Sequence, residues 1–69
     1  MDFENRLRMA RIKRGITQQR TADMANTSLR NYQCYEQGVR RPKYETLVEL
    51  CNILNVSADY LLGLTDEVE

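Results

Sequence analysis

Residues that commonly begin or end helices occur at short intervals along this chain, and their positions limit the fold more than any other feature. A Ser, Thr or Asp before a helix accepts a hydrogen bond from a first-turn amide, and a glycine after it adopts the left-handed conformation that ends the helix. The candidate starts are Asp2, Thr17, Ser28 and Ser57, and the candidate ends are Gly15, Gly38 and Gly63. They predict five helices: Phe3–Arg14, Gln18–Met24, Leu29–Gln37, Tyr44–Leu54 and Ala58–Leu62.

Apolar residues within these segments recur with the spacing of one helical face. Leu47, Leu50, Cys51 and Leu54 stand at i, i+3, i+4 and i+7, and the first segment shows the same pattern. Cys51 is therefore expected to pack in the core. The predicted fold class is all-α, without a strand, in one domain of 69 residues whose core spans about residues 3–63.

The second and third predicted helices are short and separated by only a few residues. Asn26 lies between them, and asparagine tolerates the left-handed conformation better than most residues, so Ala25–Thr27 is expected to reverse the chain. Each of the two helices has its own capping residue, Thr17 or Ser28. Two short helices joined by a tight turn form a helix-turn-helix unit.

Several classes of protein do not fit this composition. Cys34 and Cys51 are the two cysteines and the chain has no histidine, so neither a disulfide framework nor a zinc site is expected, and no cofactor is implied. No apolar run is long enough for a membrane span, and the first residues do not resemble a signal peptide, so the expected location is cytoplasmic. No catalytic motif is present, so the chain is not expected to be an enzyme.

Charge is balanced in total but segregated along the chain. All ten Lys and Arg lie within residues 6–43, where only two acidic residues oppose them, whereas residues 44–69 contain six acidic residues and no basic one. Such asymmetry is expected when one face meets phosphate groups, although a salt-bridged, solvated surface would explain it equally well.

The order of the motifs carries more information than any one of them. The chain contains, in this order, Ile16-Thr17-Gln18-Gln19, Tyr35-Glu36-Gln37-Gly38, Arg41-Pro42 and the ending Val56–Gly63. This ordered set resembles the Cro/phage-repressor (Xre-like) helix-turn-helix family. The resemblance covers about residues 6–63. It implies a five-helix repressor-like domain formed around helices 2 and 3, with the third helix in the major groove of double-stranded DNA.

The resemblance also implies roles for particular side chains. Gln18 would meet a phosphate or a base edge, and Arg11 would pair with Glu36. Arginine pairs with guanine and asparagine with adenine, which makes Arg30 and Asn31 candidate base readers. The candidate DNA-binding residues are Gln18, Ser28, Leu29, Arg30, Asn31, Gln33, Cys34, Arg40, Arg41 and Lys43, the last three as phosphate contacts in a basic loop.

Three positions depart from the family pattern in size. Thr21 and Ala25 are smaller than the usual aliphatic residues, and Tyr32 is larger. The ring of Tyr32 is expected to fill the space that the two smaller residues leave, with Thr21 as the candidate hydrogen-bond partner of its hydroxyl.

Two functions fit this sequence. The first is a sequence-specific transcriptional regulator, a repressor acting as a homodimer on a palindromic operator, with helix 5 and Leu64 or Val68 as the dimer surface. The second is a protein-interaction module of the same fold, such as an antitoxin or antirepressor, which the small number of base-reading side chains favours. Neither requires a membrane or a small-molecule ligand. The acidic tail, residues 64–69, is expected to be frayed.

Overall fold

The computed structural model describes residues 2–67, which form five α-helices and no strand. The helices are α1 (Phe3–Arg14), α2 (Gln18–Met24), α3 (Leu29–Gln37), α4 (Tyr44–Leu54) and α5 (Ala58–Leu61). Only α5 differs from the prediction: it ends one residue earlier, because Leu62 already forms the C-cap. No helix in this range is long and apolar enough to cross a membrane.

The predicted capping residues begin four of the helices. The side-chain oxygens of Thr17, Ser28 and Ser57 each accept a hydrogen bond, 3.0 Å long, from the amide three residues later. Asp2 does the same for α1 at 3.1 Å. These bonds satisfy amides that would otherwise have no partner at the helix start.

Two asparagines in the left-handed conformation shape the connections. Asn26 has φ of 56° and reverses the chain between α2 and α3, and Asn55 has φ of 57° and ends α4. The turn closes with a 3.0 Å hydrogen bond from the Thr27 amide to the Ala22 carbonyl. The predicted helix-turn-helix is therefore confirmed, with its turn where the sequence indicated.

The core lies where α1 packs against α3, α4 and α5. Leu7 of α1, Leu50 of α4 and Leu61 of α5 have no exposed surface. Tyr32 of α3 is also fully buried, as the volume argument predicted. Cys51 packs against this core from a partly buried position.

The predicted partner of Tyr32 is wrong. Its hydroxyl donates to the carboxylate of Glu36, one turn later on the same helix. Thr21 instead donates its hydroxyl to the Thr17 carbonyl at 2.8 Å, within its own helix. The i, i+4 spacing explains both bonds, because it places each donor directly beside an acceptor in the next or preceding turn.

The prediction of a frayed tail is also wrong as far as Asp66. Arg6 of α1 is buried, and its guanidinium donates to the carbonyls of Tyr60 and Thr65 at 2.9 and 2.6 Å and to the Asp66 carboxylate at 2.6 Å. The same group lies 4.6 Å from the centre of the Tyr60 ring. Val68 of the predicted dimer surface and Glu69 lie outside the described residues.

Candidate nucleic-acid interface

A buried carboxylate joins the first three helices. Glu36 near the end of α3 accepts hydrogen bonds from Arg11 of α1 at 2.6 Å, from Gln18 of α2 at 3.1 Å and from the hydroxyl of Tyr32. Arg11 donates a second bond to Glu36 at 3.3 Å and a third to the Ile16 carbonyl at 2.9 Å, just before α2. The predicted pair of Arg11 and Glu36 is confirmed, and it fixes the orientation of the helix-turn-helix against α1.

The polar contacts of Glu36 determine its charge. Burial alone would raise its pKa, but the hydrogen bonds from Arg11, Tyr32 and Gln18 together hold the pKa below its ordinary value. For Tyr32, burial and the bond to Glu36 both raise the pKa of the hydroxyl. The bond to Glu36 also raises the pKa of Arg11. Glu36 is therefore an anion that accepts from a neutral tyrosine and a cationic arginine.

The same network places the first candidate DNA-binding residue. Gln18 gives one amide hydrogen to Glu36, and its oxygen accepts from the side chain of Gln33 at 3.2 Å. Gln18 at the start of α2 and Gln33 in the middle of α3 are thus neighbours on one surface. Their role in DNA binding stays a prediction.

Asn31 is held by three polar partners. Its amide nitrogen donates to the hydroxyl of Thr27 at 2.8 Å and to that of Tyr35 at 2.9 Å. Its oxygen accepts from the guanidinium of Arg40 at 3.0 Å. An amide that reads adenine needs a free donor, and both hydrogens of this one are engaged. Its role as an adenine reader stays a prediction that would require these bonds to break.

The remaining candidates on α3 differ in exposure. Arg30 is exposed, and within residues 2–67 no hydrogen bond or ion pair engages its guanidinium. Leu29 and Cys34 are each partly buried, and Ser28 is exposed with its hydroxyl oxygen in the cap. Among these candidates, Arg30 is the exposed side chain that is free to reach a partner.

The basic loop is attached to two different parts of the molecule. Arg40 is exposed and bonded to α3 through Asn31, whereas Arg41 pairs with Glu4 of α1 at 3.1 Å and lies 5.3 Å from the centre of the Phe3 ring. Lys43 is exposed at the start of α4. An acidic residue from outside the basic segment, Glu4, therefore contacts the basic loop through Arg41.

Three residues that contact the candidate site were not predicted from the sequence. Thr27 and Tyr35 stand four residues before and after Asn31, a helical spacing that could have identified them as its partners. Glu4 gave no such signal, because it lies 37 residues from Arg41 in the chain. Among residues 2–67, no group of three or more Cys, Asp or Glu side chains is placed to hold a metal ion.

The sequence of this chain matches a known protein family and several curated proteins. Residues 5–67 match a family described as "Helix-turn-helix domain". The HTH-type transcriptional regulator ImmR of Bacillus subtilis (strain 168) is 46% identical over 68 residues, which cover 99% of this chain and 53% of that relative. The chain thus spans about half the length of the curated relatives it matches.

Two solved structures are similar over nearly the whole chain. The P22 c2 repressor in complex with a synthetic operator superposes with a TM-score of 0.85 at 31% identity, over 90% of this chain and 94% of that one. The solution structure of the DNA-binding domain of the same repressor gives a TM-score of 0.87 at 28% identity, over 100% and 88% of the two chains.

Proposed function

This chain belongs to the helix-turn-helix domain family. From that premise we propose that the chain is the DNA-binding part of a transcriptional regulator and that it inserts α3 into the major groove. The observation that carries the proposal is the exposed side chain of Arg30 in the first turn of α3, which is held by no hydrogen bond or ion pair from residues 2–67. The likeness to a repressor solved on its operator supports it. Catalysis forms no part of it.

The candidate residues divide into those that contact bases and those that contact phosphates. Arg30 pairs with a guanine through O6 and N7, and Leu29 contacts a thymine methyl. Ser28, Gln33 and Cys34 lie on the same or the next turn of α3, and Gln18 contacts a phosphate or base edge beside Gln33. The loop residues Arg40, Arg41 and Lys43 contact phosphates, which fixes the register of the protein without specifying sequence.

The regulator acts as a repressor and as a homodimer, in the cytoplasm. One such domain reads only a few base pairs, and two related by a twofold axis read half-sites about 34 Å apart. Leu62 and Leu64, which follow α5, are 53% and 73% exposed. Covering these apolar side chains would favour pairing through the α5 end of the domain.

Selection of binding sites from a random pool of duplexes tests this proposal. We expect a palindrome with half-sites centred about 10 base pairs apart. The control is Arg30→Ala carried through the same selection, which we expect to lose one conserved base pair in each half-site. Recovery of unselected sequences by the wild-type chain, or no recovery, would contradict sequence-specific binding.

A protein-interaction module of the same fold is the second candidate. The engaged amide of Asn31 favours it, because it leaves few side chains ready to read bases. Affinity for DNA falls steeply with salt when several phosphates are neutralised, so weak and salt-insensitive DNA binding would favour this alternative.

A further inference from the structure

We propose that Asn31 is a positioning residue, which fixes the guanidinium of Arg40 beside the first turn of α3 so that the loop and the helix meet DNA as one unit. This inference rests on the proposed function. It assigns to Asn31 an effect on DNA binding that passes through Arg40 and not through a base.

The first support is the geometry of the amide. Thr27, in the turn before α3, and Tyr35, one turn after Asn31, take its two hydrogens. These bonds fix the direction of the amide plane, so that its oxygen faces the loop and accepts from Arg40 at 3.0 Å. Tyr35 is itself only 4% exposed, so one of the two anchors belongs to the core.

The second support is that Arg40 is tied to α3 by its backbone as well. The amides of Val39 and Arg40 both donate to the carbonyl of Cys34, at 3.0 and 3.3 Å. Arg40 is therefore bonded to α3 twice, through its backbone amide and through its guanidinium, which donates to Asn31. An arginine has five N–H donors, and the bond to Asn31 uses one of them, so most remain for phosphate oxygens.

A side chain held in its binding geometry loses less conformational freedom when it binds. Long side chains such as arginine are among those that lose most rotamer freedom when immobilised. Asn31 therefore improves the phosphate contact of Arg40 before DNA arrives. Without Asn31, the guanidinium would still be charged but would have to be ordered by the DNA itself.

A double-mutant cycle measured as DNA affinity tests the inference. Wild type, Asn31→Ala, Arg40→Ala and the double variant are titrated with a selected duplex and a random duplex at several salt concentrations. We expect Arg40→Ala to weaken both duplexes and to reduce the magnitude of the salt slope by about 0.9, the value for one phosphate contact. Asn31→Ala should also weaken both duplexes, but it should add no further loss in the Arg40→Ala background.

The controls separate positioning from folding and from base reading. Asn52→Ala removes an exposed asparagine from α4 that is not among the candidate DNA-binding residues, and should change neither affinity nor slope. A purely structural role of Asn31 would lower Tm and would weaken DNA binding in the Arg40→Ala background as well. Thermal unfolding of each variant therefore accompanies the titrations.

Four results would overturn the inference. Equal losses from Asn31→Ala in both backgrounds would mean that Asn31 acts independently of Arg40. A loss confined to the selected duplex, at one A·T pair, would make Asn31 a base reader. If the wild-type chain binds DNA but Arg40→Ala changes nothing, the positioning role fails while the proposed function stands. If the wild-type chain binds no duplex at any salt, both fail.

Discussion

Glu36 is a nearly buried anion at the meeting point of three helices. Its side chain is 3% exposed, yet Arg11, Gln18 and Tyr32 all donate to it. Breaking such a buried pair by removing one partner leaves an uncompensated charge, which is strongly destabilising. The orientation of α2 and α3 against α1 therefore depends on the charge of one carboxylate.

The lowered pKa of Glu36 predicts a loss of stability in acid. A carboxyl group whose pKa is lower in the folded state stabilises the fold above its unfolded value, about 4.3, and this stabilisation is lost as pH falls through the folded value. We expect the free energy of unfolding of the wild-type chain to decrease below about pH 4. Glu36→Gln should be less stable at neutral pH but should show a flatter decrease in acid, measured by urea unfolding. An unchanged acid dependence in this variant would contradict the assignment.

The raised pKa of Tyr32 predicts a second loss of stability, in base. A tyrosine whose pKa is higher in the folded state contributes stability that is complete below the unfolded value, about 10, and that declines as pH rises beyond it. Urea unfolding between neutral pH and about pH 11 should therefore show a decline that Tyr32→Phe reduces. Tyr44→Phe is the matched control, because Tyr44 is 76% exposed. Equal alkaline declines in all three proteins would refute the role of the Tyr32 hydroxyl.

The residue-scale predictions that succeeded did not come from local spacing. The pairing of Arg11 with Glu36 came from the family resemblance, and the burial of Tyr32 came from side-chain volumes. The predicted contact of the Tyr32 hydroxyl with Thr21 of another helix is wrong because Glu36, at the i, i+4 position of the same helix, is the nearer acceptor. The bond from Arg41 to Glu4 could not be predicted, since no spacing rule relates two residues of different elements.

At the scale of elements, the turn between α2 and α3 sets the angle of the helix-turn-helix. Asn26 has φ of 56°, a conformation that costs about 1–2 kcal/mol in most residues with a side chain but is tolerated by asparagine and glycine. Boundaries were predicted almost completely, because caps and left-handed ends are local signals. The prediction places Leu62 in α5 because Gly63 follows it as the expected helix end, whereas Leu62 itself forms the exposed cap.

Substitution of Asn26 should show what the turn requires. Asn26→Ala should destabilise the chain by about 1 kcal/mol, because alanine has neither the freedom of glycine nor a polar side chain that favours this conformation. Asn26→Gly should stay within about 0.5 kcal/mol of the wild type. Chemical denaturation of the three proteins provides the comparison. If alanine were tolerated as well as glycine, the left-handed turn would not be the constraint proposed here.

At the scale of the whole molecule, Arg6 joins the two ends of the described chain. Its guanidinium binds the carbonyls of Tyr60 and Thr65 from within α1, so the segment after α5 returns to the first helix. This closure was not predicted, because charge patterning treated Arg6 as part of the basic surface and the tail as solvated. A buried arginine that binds carbonyl oxygens cannot be distinguished by composition from one that faces phosphate.

Two variants distinguish the carbonyl contacts of Arg6 from its ion pair. Arg6→Ala leaves two carbonyls without their donor and should cost about 2–3 kcal/mol of stability. Asp66→Asn should cost little, because the Asp66 side chain is 96% exposed and surface ion pairs contribute weakly. Thermal unfolding of both variants measures the difference. A larger loss from Asp66→Asn than from Arg6→Ala would show that the ion pair, not the carbonyl contacts, holds the tail.

The central claim is that α3 reads bases through Arg30. The measurement that tests it most directly is the affinity of Arg30→Ala for a selected duplex and for a random duplex at the same salt concentration. We predict a loss of about 1–3 kcal/mol on the selected duplex, relaxed preference at one G·C pair, and little change on the random duplex. Equal weakening on both duplexes would make Arg30 a phosphate contact, and no change on either would remove it from the interface.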